Sequence, residues 1–340
     1  MKLVILDGYA ENPGDLSWDT LRKFGELTVY DRTSPVDTDD ITRRIGDAGI
    51  VITNKTPISR AVFDACENIR LVAVLATGYN IVDTAYAKQR GIPVCNVPAY
   101  GTDAVAQYAI ALLLEICSQV GHHSAAVHAG RWQNGADFCF WDTPLIELSG
   151  KTMGIIGFGR IGRAVGRIAK AMGMRVIACG SRPTDEGRTI AEYVELPELL
   201  RQADVISLHC PLTDETRHMI DAGAIASMKP GAVLINTSRG ALVDTEALIE
   251  GLRSRKVGAA CLDVYEEEAD LFYEDRSESI IEDDTLVRLI SMPNVIVTSH
   301  QAFLTKEALN HIAAATVENL LKFERGEPSP ETEVCYRGAQ

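Results

Sequence analysis

The segment Gly157-Phe158-Gly159-Arg160-Ile161-Gly162 follows the apolar run Met153–Ile156 and decides the fold of this chain. A strand that ends in G-x-G-x-x-G and turns into a helix brings backbone close to a pyrophosphate, whose charge the helix amides and dipole stabilise. A predicted helix continues over Ala164–Met172, and Arg175–Cys179 follows as a second apolar strand, which completes a βαβ unit. This context predicts a dinucleotide site, with a glycine-rich turn that binds nothing as the alternative.

Length and composition are typical of a globular protein with two domains. The chain has 340 residues, of which 46% are hydrophobic and 24% are charged. No apolar run is long enough to span a bilayer, and residues 1–7 read as a buried strand, so we expect a cytoplasmic protein with no membrane partner. The formal net charge of -14 argues against nucleic acid as a partner, although a small anionic substrate needs only local positive groups.

The eight cysteines are scattered along the chain without any C-x-x-C pair. Several of them lie inside apolar runs, where cysteine behaves as a small hydrophobic residue. The pattern therefore predicts neither a disulfide framework nor a zinc site, and we expect no bound metal.

The hydrophobic pattern divides the chain into two series of alternating strands and helices. Helical segments such as Leu16–Phe24 and Val82–Gln89 separate the strands of the first series. Each series predicts an α/β domain with a doubly wound parallel sheet. The predicted strands are Leu3–Leu6, Leu27–Tyr30, Ile50–Thr53, Leu71–Leu75 and Val94–Asn96 in the first series, and Met153–Ile156, Val176–Cys179, Val205–His209, Val233–Asn236, Ala259–Val264 and Val295–Ser299 in the second.

Two long helical patterns mark the domain boundaries. The first, Asp103–Cys117, interrupts the alternation and is typical of an inter-domain helix. The second, Lys306–Arg325, comes after the second series has ended, so we expect it to pack on the first domain. The chain is therefore predicted to form a discontinuous domain from residues 1–100 and 301–340, with a dinucleotide-binding domain over residues 101–300.

Two irregular segments stand outside this alternation. Residues 130–149 contain Trp132, Phe138, Phe140 and Trp141, a density of aromatic residues that indicates either a subunit interface or an ordinary packed loop. Residues 266–284 form an acidic run, which we interpret as mostly solvated, with Glu268 as the exception.

Polar residues follow the strand ends of the second series, where ligands bind to open parallel sheets. Arg239 offers a planar fork of donors for a carboxylate, and His300 can exchange a proton with an alkoxide. A carboxylate such as Glu268 beside that histidine would raise its pKa. Each residue alone has an ordinary alternative. Arg239 could be a surface arginine or a structural ion-pair partner, Glu268 one member of the charge run, and His300 a core histidine bonded to backbone. Together they predict reduction of an anionic 2-oxo acid.

Four segments around these residues resemble the signature segments of the D-2-hydroxyacid dehydrogenases. They are Val205–Thr213, Ile235–Asp244, Leu262–Glu268 and Thr298–Phe303. The resemblance covers nearly the whole chain and implies a Rossmann domain together with a flavodoxin-like discontinuous substrate domain. It also implies a homodimer formed through residues 103–149.

The same resemblance implies a role for each candidate residue. Arg239 is expected to bind and polarise the 2-oxo acid, His300 to act as acid and base, and Glu268 to be the partner of His300. The residues expected to border the cofactor, beside the glycine turn at 157–162, are His209, Cys210, Pro211, Thr237, Ser238 and Asp263.

Two further positions match substrate contacts of the family. Ala76-Thr77-Gly78 matches a loop whose main-chain amides hold the substrate carboxylate, and the missing side chain of Gly78 suits close approach to an anion. Tyr100 matches a substrate-facing tyrosine of the D-lactate dehydrogenases. The alternative for Tyr100 is a turn residue packed at the hinge.

Different parts of the chain resemble family members that act on different substrates. The first half is similar to the glycerate dehydrogenases, also called hydroxypyruvate reductases, at residues 3–9, 12–18, 74–80 and 137–142. Residues 263–305 resemble the fermentative D-lactate dehydrogenases, which often carry an arginine where this chain has Leu75. We predict reduction of hydroxypyruvate or glyoxylate, with reduction of pyruvate as the alternative. A dinucleotide-sensing corepressor is a less favoured one, because no extra interaction region is evident.

Cofactor choice depends on the end of the strand at residues 175–179. An acidic residue there normally binds the ribose hydroxyls of NAD, but this chain has Gly180-Ser181-Arg182. Ser181 can donate to a 2′-phosphate and Arg182 can pair with it, so the sequence predicts that NADP(H) is favoured. NAD(H) remains possible if Asp185 or Glu186 folds back onto the ribose.

Overall fold

The computed structural model describes residues 1–12, 14, 16–180, 182–268, 282–327 and 332–334. Contacts within these residues divide the chain into two units. The first comprises residues 1–101 and the described residues from Leu304 onward, and the second comprises the described residues between Thr102 and Phe303. Each unit contains one parallel sheet with helices between its strands, which confirms the predicted fold class.

The first unit begins with five strands that alternate with three helices. Its elements are β1 (Lys2–Ile5), β2 (Glu26–Val29), α1 (Thr38–Ile45), β3 (Ile50–Thr53), α2 (Arg60–Ala65), β4 (Leu71–Val74), α3 (Thr84–Gln89) and β5 (Val94–Cys95). The strand order is β2-β1-β3-β4-β5, so the direction of winding reverses between β1 and β3. Every residue of β3 and β4 is buried, as expected for parallel strands covered by helices on both faces.

The predicted helix Leu16–Phe24 is wrong over its first half, because only Leu21–Phe24 form a short 3-10 helix. The side chain of Asn12 explains the difference. Its Oδ1 accepts a hydrogen bond from Leu16 N at 2.9 Å, and its Nδ2 donates to Leu16 O at 2.6 Å. These bonds occupy backbone groups that a helix would need for its own ladder.

The second unit contains a seven-stranded sheet. Its elements are α4 (Thr102–Ser118), α5 (Val120–His128), β6 (Thr152–Ile156), α6 (Arg160–Ala171), β7 (Arg175–Cys179), α7 (Asp185–Ile190), β8 (Glu192–Tyr193), α8 (Leu196–Gln202), β9 (Val205–Leu208), α9 (Ala222–Ser227), β10 (Ala232–Asn236), α10 (Thr245–Arg253), β11 (Val257–Leu262), α11 (Asp284–Ile290) and β12 (Val295–Val297). The order β12-β11-β10-β9-β6-β7-β8 is that of a dinucleotide-binding sheet with one added strand, and its switch point lies between β6 and β9.

Helix α4 is long and apolar, and its composition follows from its position. It packs along α6, and Ala106, Ala109 and Leu113 are buried in the core beside the sheet. No single helix of the described residues is long and apolar enough to cross a membrane. Helices α4 and α5 reach the length and apolar composition of a membrane span only when they are taken together, and they are bent by 57° at their junction.

The last helix, α12 (Lys306–Arg325), belongs to the first unit, and its predicted bounds are confirmed. Thr305 begins the helix by accepting a hydrogen bond from Ala308 N, and Gly326 ends it in a left-handed conformation. Asn319, which is buried, donates to Asn96 O at 3.2 Å. This bond joins α12 to the residue that follows β5.

Two acidic residues are buried at the carboxyl end of β1. Asp7 accepts hydrogen bonds from the amides of Asn54, Lys55 and Thr56 at 2.8, 2.6 and 2.8 Å. Glu11 is 2% exposed and accepts a hydrogen bond from Asn54 Nδ2 at 2.8 Å, but its Oε2 has no hydrogen-bond partner among the described residues. Burial, together with the nearby Asp7, raises the pKa of Glu11 to about 8, although Lys55 opposes the shift.

Replacing Glu11 with glutamine is expected to stabilise the fold at alkaline pH. A carboxyl group with a pKa of about 8 when folded and near 4.5 when unfolded destabilises the fold progressively as the pH rises between these values. The full shift corresponds to roughly 4 to 5 kcal/mol. Thermal unfolding at pH 5 and pH 9 should show a higher Tm for Glu11→Gln than for the wild type at pH 9 only. An equal difference at both pH values would contradict this expectation, and Glu26→Gln on the surface is the control.

Candidate active site

The glycine turn after β6 is shaped partly by the protein and partly by open space. Gly157 has a φ of 90°, and a Cβ atom there would lie 2.5 Å from His209 C and Cys210 N. A Cβ atom at Gly162 would lie 2.4 Å from Gly157 O. Gly159 differs, because a Cβ atom there would meet nothing within 4 Å. The first and third glycines are therefore required by internal packing, and the second leaves room for a phosphate group at the start of α6.

The residues that follow β9 and β10 meet beside this turn. Ser238 Oγ donates a hydrogen bond to Cys210 O at 2.6 Å, which ties the two strand ends together. His209 Nε2 lies 2.8 Å from Ser207 Oγ, and burial lowers the pKa of His209 to about 4, so its imidazole is neutral. Thr237 Oγ1 is buried without a hydrogen-bond partner among the described residues. Such a hydroxyl fits a bound cofactor that supplies the missing partner.

The residues that follow β7 were predicted to decide the choice of cofactor. Ser181, one of the two residues predicted to favour NADP(H), lies outside the described residues, whereas Arg182 is exposed. Glu186 does not fold back toward the end of β7. It lies 3.4 Å from Arg163 Nε and 3.0 Å from Arg167 NH1, so two arginines of α6 hold its carboxylate.

His300 and Glu268 form the pair that the sequence predicts. His300 Nδ1 lies 2.8 Å from Glu268 Oε1, and both side chains are about one-fifth exposed. Because a carboxylate accepts hydrogen bonds, Nδ1 carries the proton and Nε2 is the atom that can exchange a proton with a ligand. Glu268 Oε2 also accepts a hydrogen bond from Tyr265 N at 3.2 Å. The φ of His300 is 52°, a left-handed conformation that needs support from its surroundings.

Asp263 supplies that support. Its carboxylate accepts hydrogen bonds from Thr298 Oγ1 at 2.6 Å, Gln301 N at 3.0 Å and Ala302 N at 2.8 Å, and its carbonyl oxygen accepts one from His300 N at 2.7 Å. Asp263 is only 1% exposed. These contacts make it a positioning residue for the loop of His300, and the cofactor contact implied by the family resemblance stays a prediction.

Arg239 follows β10 in a turn that Asn236 fixes. Asn236 Nδ2 donates to Arg239 O at 2.8 Å, and Asn236 Oδ1 accepts from Ser238 N at 3.0 Å. The guanidinium is half-buried and donates to Ser238 O at 2.7 Å. Within the described part of the chain, no carboxylate lies at ion-pair distance from Arg239. Its charge and remaining donors are therefore available to an anionic ligand.

The turns that carry Arg239 and Glu268 touch directly. A Cβ atom at Gly240 would lie 2.1 Å from the carbonyl carbon and oxygen of Tyr265 and 2.4 Å from Glu266 N, so only glycine fits between the two turns. Strands β10, β11 and β12 are neighbours in the sheet. The turns that carry Arg239, Glu268 and His300 therefore follow three neighbouring strands at one edge of the second unit.

The predicted carboxylate loop lies in the first unit, after β4. Thr77 Oγ1 donates to Val97 O at 2.9 Å, and Asn96 Nδ2 donates to Thr77 O at 2.7 Å. Asn96 is 1% exposed and was not among the predicted site residues, although a polar residue directly after a buried strand is a recognisable signal. The contacts around Ala76 and Gly78 thus depend on Asn96. Tyr100 is half-buried near the end of this unit.

The aromatic segment at residues 130–149 is largely exposed. Trp132 is 55%, Phe138 is 90% and Trp141 is 65% exposed, so these side chains are not those of a packed loop within one chain. Asp142 holds the segment in place by accepting a hydrogen bond from Arg131 at 2.7 Å, which keeps the pKa of Asp142 well below its usual range. An exposed set of large aromatic side chains is typical of an interaction surface.

Comparison with known proteins identifies the family. The family model for the NAD-binding domain of the D-isomer-specific 2-hydroxyacid dehydrogenases matches residues 110–302. Hydroxypyruvate reductase of Blautia hydrogenotrophica is 51% identical over 96% of this chain and 98% of its own length. D-lactate dehydrogenase of Escherichia coli is 43% identical over 77% of this chain and 78% of its own length.

Solved structures agree with this assignment and with the family predicted from the sequence. The apo structure of D-lactate dehydrogenase from Escherichia coli has a TM-score of 0.81 and 34% identity, and covers 98% of this chain and 100% of its own. D-lactate dehydrogenase from Aquifex aeolicus, solved with NAD and lactic acid, has a TM-score of 0.82 and 29% identity, and covers 96% of each chain. The chain belongs to the D-isomer-specific 2-hydroxyacid dehydrogenases, oxidoreductases that use a nicotinamide dinucleotide.

Proposed function

We propose that this chain reduces a small 2-oxo acid, with hydroxypyruvate or glyoxylate as its substrate and pyruvate as the second candidate. The observation that carries the proposal is the His300–Glu268 pair, whose 2.8 Å contact leaves His300 Nε2 available for proton exchange. The turn of Glu268 abuts the turn of Arg239, whose guanidinium has no carboxylate partner within the residues that the structure describes. A cation beside a proton donor suits an anionic carbonyl substrate.

The proposed roles follow from the chemistry of each group. The nicotinamide dinucleotide, when bound, supplies the hydride that reduces C2 of the substrate. Arg239 binds the substrate and stabilises negative charge as it develops on the carbonyl oxygen. His300 Nε2 donates a proton to that oxygen, and Glu268 stabilises the charged imidazole before the transfer. In the reverse direction, His300 takes the proton back.

Roles in the first unit are proposed from the family resemblance. The main-chain amides of Ala76–Gly78 bind the substrate carboxylate, and the hydrogen bonds of Thr77 and Asn96 keep that loop in shape. Tyr100 faces the substrate. Residues 1–100 and 301–340 accordingly form the substrate domain, and residues 101–300 form the cofactor domain.

Hydroxypyruvate is favoured over pyruvate by two observations. The relative at 51% identity over nearly the full chain is a hydroxypyruvate reductase, whereas the D-lactate dehydrogenase of Escherichia coli matches over 77% of this chain. Leu75 is buried where D-lactate enzymes often carry an arginine. Part of the likeness to the D-lactate enzymes falls on residues 269–281, which lie outside the described residues.

A substrate panel tests this proposal. Purified protein is assayed by nicotinamide absorbance with hydroxypyruvate, glyoxylate, pyruvate and phenylpyruvate, and kcat/KM is expected to be highest for hydroxypyruvate or glyoxylate. A higher kcat/KM for pyruvate would identify a D-lactate dehydrogenase instead. Cofactor binding without turnover of any of the four acids would favour a dinucleotide-sensing protein.

For the cofactor, we propose a preference for NADP(H), with NAD(H) also accepted. The support is the exposed Arg182 at the end of β7 and the engagement of Glu186 by Arg163 and Arg167, which keeps its carboxylate from the ribose. At equal concentration, NADPH should give the higher kcat/KM, and Arg182→Ala should lower that value for NADPH more than for NADH. Arg188→Ala on α7 is the matched control, and a strong NADH preference of the wild type would refute the proposal.

A homodimer formed through residues 103–149 is proposed from the exposed aromatic residues Trp132, Phe138 and Trp141. Light scattering after gel filtration should give twice the mass of the chain, and Phe138→Asp should weaken the association.

We also propose a cytoplasmic location. Five of the described cysteines, Cys66, Cys117, Cys179, Cys210 and Cys261, are buried free thiols, which fits a reducing compartment.

A further inference from the structure

The acidic run at residues 266–284 contains a second residue that is not solvated. Glu266 is only 18% exposed at its side chain and has three partners. Its Oε1 accepts a hydrogen bond from His218 Nε2 and lies 3.5 Å from Arg217 NH2, and its Oε2 accepts a hydrogen bond from Thr245 Oγ1 at 3.0 Å. The adjacent Glu267, in contrast, is exposed. None of the roles described above uses Glu266.

The partners of Glu266 belong to the segment that follows Arg239 and to a segment that runs beside it. His218 N donates to Ala241 O at 2.8 Å, and Ile220 pairs with Val243 in a parallel bridge. His218 has a φ of 51°, a left-handed conformation that costs a non-glycine residue free energy and that its surroundings must support. Thr245 begins α10 directly after this segment. The carboxylate of Glu266 is therefore bonded to both segments.

The backbone of Glu266 has an equally close contact. Its amide nitrogen would lie 2.4 Å from a Cβ atom at Gly240, so the peptide between Tyr265 and Glu266 rests on the peptide chain next to Arg239. Two residues further on, Glu268 accepts a hydrogen bond from Tyr265 N and holds His300. Glu266 thus lies between the residue that binds the substrate and the residue that orients the acid.

We propose that Glu266 is a positioning residue for the reaction. Its carboxylate, bonded to His218 and Thr245, fixes the turn that carries Glu268 against the turn that carries Arg239. This inference rests on the proposed function, because Glu266 acts only by positioning Glu268 and Arg239. It assigns no chemistry to Glu266 itself. Small displacements of such turns are costly, since misplacement by about 1 Å lowers rates by roughly 100-fold.

Four variants test the inference by steady-state kinetics with hydroxypyruvate. Glu266→Ala removes every partner, Glu266→Gln keeps an acceptor for Thr245 without the charge, and His218→Gln removes the ring from the other side. We expect kcat to fall roughly 10- to 100-fold in Glu266→Ala and less in Glu266→Gln, with cofactor Kd unchanged within about twofold. Glu267→Ala, which loses the same charge at an exposed position, should keep the kcat of the wild type.

A double-variant comparison separates positioning from a general loss of stability. If Glu266 acts through Glu268, then Glu266→Ala should lower kcat much less in a Glu268→Gln background than in the wild type. Fold reductions that simply multiply would overturn the inference, because they would show independent effects. The combination of His218→Gln with Glu266→Ala should likewise be no slower than Glu266→Ala alone.

The outcomes distinguish this inference from the proposed function. Wild-type turnover together with unchanged kcat in the Glu266 variants overturns the inference alone. Absence of wild-type turnover with every 2-oxo acid overturns both. If Glu266→Ala does not fold, as judged by loss of cofactor binding, then Glu266→Gln and His218→Gln decide the matter, and wild-type kcat in both overturns the inference.

Discussion

Replacement of His300 with alanine is expected to lower kcat by roughly 100- to 10,000-fold, the usual contribution of a positioned acid or base. The reason is structural, because Glu268 binds Nδ1 at 2.8 Å and leaves Nε2 as the ring atom that can exchange a proton. Cofactor affinity should change little, since the glycine turn after β6 does not involve His300. Steady-state kinetics and a fluorescence titration with the reduced cofactor measure the two quantities separately.

The matched control for this variant is His311→Ala on the exposed face of α12, which should have wild-type kinetics. His300 also has a left-handed backbone conformation, which alanine at this position would have to adopt as well. In the variant, only the hydrogen bonds of Asp263 would support this conformation of the loop. A Tm measurement checks that the loop change does not unfold the protein. Retention of a near-normal kcat would remove His300 from the role of acid and base.

Replacement of Arg239 with lysine is expected to lower kcat/KM for the 2-oxo acid by roughly 100- to 1,000-fold, as for loss of a donor that stabilises developing charge. Lysine keeps the charge but loses the planar fork of donors, so it cannot bind a carboxylate and polarise the adjacent carbonyl in the same way. We expect KM to rise and kcat to fall together, because the contact contributes to both the bound substrate and the transition state.

Arg253→Lys, at an exposed position near the end of α10, provides the control for this substitution. Two sets of kinetics separate the KM of the 2-oxo acid from the KM of the cofactor. In the first, the 2-oxo acid is varied at saturating cofactor, and in the second, the cofactor is varied at saturating 2-oxo acid. A change confined to the KM of the cofactor would show that Arg239 serves the dinucleotide and not the substrate.

Much of the architecture could be predicted from the sequence because parallel strands that are buried on both faces are continuous apolar runs. Strands β3 and β6 coincide closely with such runs, and the glycine turn marks the start of α6. The two-residue strand β8 was missed because it is too short to have a pattern. The loop at Leu16 was missed because a side-chain contact from Asn12 decides its conformation.

The candidate site divides in the same way. Arg239, Glu268 and His300 could be found because strand ends and family segments mark them. Asn96 was missed although its place directly after a buried strand is a signal of the same kind. Glu266 could not be found, because its role depends on partners that are remote in the chain, such as His218, 48 residues before it. Within an acidic run, sequence alone gives no reason to separate Glu266 from the exposed Glu267.

The place of α12 in the first unit has a consequence for biosynthesis. Residues 1–101 leave the ribosome first, but the helix that buries Leu309, Ile312 and Leu320 against that unit emerges only after the whole second sheet has been made. Domains generally mature in the order of their translation. Here the first unit is completed last. Its sheet lacks its final covering helix at the stage when the dinucleotide-binding sheet already has all of its strands.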